Sequence, residues 1–111
     1  MLEDTQKNWV SNHLVLGNMK IVSEIKPFTQ VDYGKSKLRT FSESVEESDL
    51  KWHWDEEDRF VTVLHETDWK FQYDNQLPEN LKPGKTLYIP KGEWHRLIKG
   101  TGDLKLSIEM F

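Results

Sequence analysis

The segment from Gly84 to His95 (Gly84-Lys85-Thr86-Leu87-Tyr88-Ile89-Pro90-Lys91-Gly92-Glu93-Trp94-His95) constrains this chain more than any other. Gly84 suits a turn into a strand, because glycine tolerates positive φ. Thr86 to Ile89 is β-branched and aromatic, a strand composition. Pro90 cannot donate to a ladder, and Gly92 permits the tight turn back. The turn then delivers His95 to the start of a second strand.

The same grammar of short strands and turns runs through the chain from His13. His13–Leu16 is apolar and Gly17-Asn18 marks a turn. Met19–Ile25, Val31–Tyr33 and Lys37–Ser42 read as strands, the last two arranged around Gly34. Glu43–Asp49 holds four acids in seven residues and reads as a solvated loop. Leu50–Asp55 and Arg59–His65 read as two strands or one bent strand. Trp69–Tyr73 alternates aromatic and polar residues, a half-buried strand. Leu104, Leu106, Ile108 and Met110 alternate with Lys105, Ser107 and Glu109 after a Gly100–Asp103 turn. Many short strands at regular spacing predict an all-β antiparallel sandwich or barrel. Residues 1–12 read as a polar arm, a short helix or irregular, and 13–111 as one domain.

Composition removes several function classes. With no cysteine, disulfides, thiolate ligands and cysteine nucleophiles are excluded. The net charge of -4 and the lack of a basic cluster speak against nucleic acid. The polar N-terminus and the lack of a long apolar run predict no signal peptide, no membrane span and a cytoplasmic location. No serine-nucleophile motif or Gly-rich phosphate loop is present.

The Gly84–His95 segment has the spacing Gly-x5-Pro-x-Gly-x2-His and resembles the second signature motif of the cupin superfamily. That resemblance implies a double-stranded β-helix, or jelly roll, with His95 facing the interior as a metal ligand. The first cupin motif, anchored on His53, falls on Glu47, His53, Asp55, Arg59 and Glu66. Only His53 is retained. Asp55 replaces the second histidine, Arg59 the glutamate, and Glu47 and Glu66 the glycines, while Lys99 replaces the asparagine that often ends motif two. The likeness covers about residues 47 to 99. His53-Trp54-Asp55 places two ligand-type side chains on one strand face. With His95 they make a two-histidine, one-carboxylate set, suited to Fe(II) foremost and otherwise to Mn, Ni or Zn. His-x-Asp with a distant His also resembles Fe(II)/2-oxoglutarate oxygenases, and Lys105-Leu106-Ser107 stands where they carry a basic residue and a serine. Lys105 nevertheless belongs to the polar face of its strand.

Arg59 admits two readings. It holds a small anionic substrate beside the metal, or it pairs internally with Asp55, Glu57 or Asp58 in a metal-free protein. Slippage of register would make Glu57 or Asp58 a ligand instead. His13 and His65 match no motif position. Trp52 and Trp54 flank His53 and point away from it, toward packing or a dimer interface. Tyr88 reads as core rather than as a proton donor. The leading expectation is a metal-dependent, dioxygenase-like enzyme, with His53, Asp55 and His95 as ligands and Arg59 as the catalytic residue that holds the substrate. The alternatives are a metal-free binding or assembly module, and a sugar isomerase- or epimerase-like protein with His53 or His95 as base.

Exposed edge strands and Trp52 and Trp54 predict a homodimer. Sedimentation at micromolar concentration should give twice the 13.2 kDa chain mass. A monomer would refute it.

Overall fold

The computed structural model describes the backbone of Val10–Leu16 and Lys20–Ile25 and, with side chains, residues 27–111. Residues 1–9 of the expected arm and the Gly17-Asn18 turn lie outside the described residues. Ten strands follow one another: β1 (Val10–Leu16), β2 (Lys20–Ile25), β3 (Phe28–Asp32), β4 (Ser36–Phe41), β5 (Arg59–Val63), β6 (Lys70–Tyr73), β7 (Glu79–Asn80), β8 (Thr86–Ile89), β9 (His95–Ile98) and β10 (Leu104–Met110). Among the described residues these ten strands are joined by one 3-10 turn, Glu47–Asp49, which precedes the site.

The strands form two antiparallel sheets. The larger has the order β1-β2-β3-β4-β10-β5-β8, and the smaller β7-β6-β9. The core lies between them. Alternation puts Leu104, Leu106 and Ile108 of β10, Val61 and Val63 of β5, and Leu87 and Ile89 of β8 inside. Phe71 of β6 and the fully buried Trp69 close it from the smaller sheet's side. Trp69 satisfies its indole N–H on the Gly102 carbonyl at 3.0 Å, as a buried tryptophan must.

Strands β8, β9 and β10 fall where composition and alternation place them. Four expectations change. The strand read at Val31–Tyr33 is Phe28–Asp32, because Pro27 occupies the turn and lets Phe28 pair with Ile25. Leu50–Asp55 is not a strand: only His53 pairs, through a single bridge to His95. Its backbone groups are used outside any ladder, Leu50 N–H on the nearby Glu47 carbonyl and the Asp55 carbonyl on the distant Gly92 N–H. The barrel does not close, because among the described residues no ladder joins the two sheets. Tyr88 also departs from expectation. It is 49% exposed beside Phe60, because Leu87 and Ile89 take the inward positions of β8.

Gly100 is required for contact rather than for turn geometry. A Cβ there would lie 2.2 Å from Asp68 Oδ1 and 2.7 Å from the Trp69 backbone nitrogen. The Gly100 turn therefore closes directly over the chain that carries Trp69.

Trp69→Ala should cost about 3–5 kcal/mol, since the side chain is fully buried and hydrogen-bonded. Leu77→Ala, at 87% exposure, should stay within about 0.5 kcal/mol. Urea unfolding midpoints of the two variants check this, and equal midpoints would contradict the placement of the core.

Candidate metal centre

The site is assembled by the turn between β8 and β9. Gly92 adopts φ +81°, a left-handed conformation that favours glycine. Its N–H reaches the Asp55 carbonyl at 2.9 Å. The neighbouring Lys91 N–H donates to Asp58 Oδ1 at 2.8 Å. The turn is thus bolted to the 55–58 segment. One step later the His53–His95 bridge pairs the backbones in both directions, at 3.0 and 2.8 Å. Two segments some forty residues apart are held in a single register.

This register converges three side chains. One ligand atom each from His53, Asp55 and His95 lies within 4.8 Å of the others. The two imidazoles meet edge to face with centroids 4.4 Å apart, and His95 stacks on Phe71. Asp55 is fully buried. Its Oδ2 lies 3.3 Å from His95 Nε2, and its Oδ1 3.9 Å from His53 Nε2 and 3.3 Å from Arg59 Nη2. Neither oxygen has a partner with hydrogen-bond geometry.

The histidines are oriented from behind. His53 Nδ1 faces the Lys51 carbonyl at 3.0 Å and His95 Nδ1 faces the Glu93 carbonyl at 2.8 Å. A carbonyl can only accept, so each Nδ1 carries a proton and each ring turns its Nε2 forward. Two Nε2 atoms and a carboxylate without hydrogen bonds therefore point at one place. That donor set fits a divalent cation, and the carbonyls behind the rings are the outer partners such ligands use.

The electrostatics agree. Burial would raise the Asp55 carboxyl, but His95, Arg59 and His53 hold it down at about 2. Desolvation and the adjacent His95 lower His53 from 6.5 to about 4. The aspartate is charged and His53 neutral at pH 7, the protonation states ligands require.

Arg59 is buried with the cluster but already engaged. Its Nε and Nη2 donate to Glu57 Oε1 at 3.2 and 2.8 Å, and Nη2 also reaches Asp55. Glu57 is turned to Arg59 and Asp58 to Lys91, so neither joins the three convergent groups. His65 lies elsewhere, with Nε2 accepting from the Lys105 N–H. The side chain of His13 lies outside what the structure describes. Lys105 is exposed on the outer face, so the basic residue of the 2-oxoglutarate resemblance does not face the cavity. Trp52 is half-buried under the Arg96 guanidinium, 4.7 Å from the ring centroid.

The three groups open onto a cavity of about 70 Å³ between the sheets. Its walls are mostly apolar: Phe28, Phe41, Val61, Leu87, Ile89 and Leu106 among them. A second arginine, Arg39 of β4, also lines it and was not singled out by sequence. The available signal was parity, because Arg39 shares a strand face with Phe41.

The sequence matches no family model and no curated protein. Solved structures do match. Hydroxypropylphosphonic acid epoxidase from S. wedmorenis superposes with TM-score 0.66 at 14% identity, over 88% of this chain and 58% of that one. FeII HppE gives 0.56 at 15% identity, over 90% and 55%. An RmlC-like cupin family protein with a double-stranded β-helix fold from Methanocaldococcus jannaschii gives 0.55 at 10% identity, over 90% and 89%. The chain spans little more than half the length of the first two. It has the cupin fold, with a candidate His-Asp-His metal centre between its sheets.

The depressed His53 pKa sets a pH dependence. The unfolded chain protonates His53 near 6.5 and the folded chain only near 4. Metal-free protein should therefore lose stability as pH falls from 6.5 to 4. Asp55 adds a second loss from 3.8 down to 2. His53→Gln should flatten the upper limb in urea unfolding across pH. An unchanged slope would show that His53 is not desolvated.

Proposed function

We propose that this protein is a small metal-dependent cupin enzyme. His53, Asp55 and His95 hold one divalent ion, and the cavity between the sheets takes a small anionic substrate. The observation that carries this reading is the fully buried Asp55 carboxylate, whose two oxygens lack hydrogen bonds while the Nε2 atoms of His53 and His95 face it. Leaving such a group unsatisfied is expensive, and a cation at this point would satisfy all three donors.

A divalent ion held there supplies Lewis-acid polarisation, and a two-histidine, one-carboxylate set suits Fe(II) with open positions. The chain's own residues do the rest. The Lys51 and Glu93 carbonyls fix the ring tautomers. Arg59 keeps Asp55 ionised and oriented, a positioning role, since its charge is compensated by Asp55 and Glu57 through Nε and Nη2. The apolar walls exclude water and strengthen every charge interaction inside. Likeness to a phosphonic acid epoxidase and to FeII HppE supports the anionic substrate and the metal.

One observation favours a second reading, a metal-free binding module. The Arg59–Asp55 pair already offsets the buried charge in part. Metal content separates the two. Purified protein should take up close to one divalent ion per chain, and His95→Ala should weaken uptake by more than about 100-fold. Elemental analysis that finds no metal after incubation with Fe(II), Mn(II), Ni(II) and Zn(II) would overturn the enzyme reading.

A further inference from the structure

Arg39 is buried to 7% exposure, and among the described residues no carboxylate lies within ion-pair distance of it. Its Nε and Nη2 both donate to one atom, Gln30 Oε1, at 3.0 and 2.7 Å. Its plane lies over the Phe28 ring, 3.7 Å from the centroid. Nη1 has no partner among the described residues, and Arg39 lines the cavity shared with His53 and His95. The side chain is therefore locked in place on one edge and one face, and its remaining donors have no partner among the described residues.

Among the described residues Arg39 has no counter-ion, a costly state for a buried guanidinium, and the neighbourhood aggravates it. Burial and the Arg59 charge lower its pKa to about 9. Arg59 itself is neutralised by Asp55 and Glu57. Arg39 is the cavity-lining guanidinium with no ion-paired carboxylate among the described residues, and a divalent ion at the three ligands would add positive charge beside it. A fixed, desolvated fork with free donors is the geometry that takes a carboxylate in two parallel hydrogen bonds. The opposite walls are apolar, and about 70 Å³ holds about five water-sized groups.

We infer that Arg39 is the anion anchor of the cavity, binding a small monocarboxylate with a compact apolar body, and that Arg59 is not. The inference rests on the reading of this cavity as the substrate site and assigns that substrate's class. Inorganic phosphate fits less well, because it offers nothing to the apolar walls.

The test is titration with butanoate, with butanamide and inorganic phosphate as comparisons, on metal-free and metal-loaded wild type and on Arg39→Met. Wild type should bind butanoate in preference to both comparisons. Arg39→Met should weaken it tenfold or more while keeping or raising the melting temperature, since an apolar replacement of a buried unpaired charge is neutral or stabilising. Arg39→Lys, which keeps charge without the fork, should fall between. If Arg39→Met does not fold, the Arg39 Nε–H resonance of wild type decides: it shifts on butanoate addition if Arg39 is the anchor. No butanoate binding to either wild-type form, equal affinity in the folded variant, preference for phosphate, or an unmoved resonance would each overturn the inference. Metal uptake is read on the same samples. Butanoate binding without metal uptake leaves Arg39 standing and removes the metal reading, and metal uptake without butanoate binding does the reverse.

Discussion

The buried carboxylate of Asp55 is the constraint around which this end of the molecule is arranged. A fully desolvated negative charge is not tolerated alone. Arg59 approaches it from the following strand, and the two histidines from opposite sides of the cavity mouth. The backbone of the same residue is tied down separately, through its carbonyl to Gly92. Side chain and main chain of Asp55 thus couple the 53–59 segment to the turn that launches β9. Loosening either would release both histidines, because their register comes from the His53–His95 bridge beside it.

Charge arithmetic gives the cavity its character. Two acids, Asp55 and Glu57, face two guanidiniums, Arg39 and Arg59. The geometry is uneven: both acids are spent on Arg59, and Arg39 is left with an amide and an aromatic face. The mostly apolar walls strengthen every charge interaction inside by excluding water. The difference between the two arginines is one of charge: Arg59 lies against two carboxylates, whereas Arg39 meets an amide oxygen and an aromatic ring among the described residues.

Much of this was legible in the residues. The Gly-x5-Pro-x-Gly-x2-His spacing located β8, its turn and β9, because proline and glycine punctuate backbone regardless of context. Alternation located β10 and its inward face, since one face of a half-buried strand must be apolar. The separation of His53 and Asp55 by one residue placed both on one side of an extended segment. Other features were hidden for physical reasons. Leu50–Asp55 has strand composition, yet its hydrogen bonds go to a 3-10 turn and to Gly92, a competition that no propensity registers. Tyr88 is outside because Leu87 and Ile89 outrank it for the inward positions. Arg39 looked like one charged residue among many on β4.

The sequence by itself determined the class of fold, the turn geometry and the identity of three candidate ligands, because these depend on local conformational preference and on spacing along the chain. Tertiary structure alone decided which of the two arginines meets carboxylates among the described residues. Arg39 and Arg59 are chemically identical, and their difference lies wholly in what surrounds them: two carboxylates for one, a glutamine and a phenylalanine for the other. Pairing, desolvation and the protonation they impose are properties of residues brought together from distant strands, and only the packed sheets bring them together.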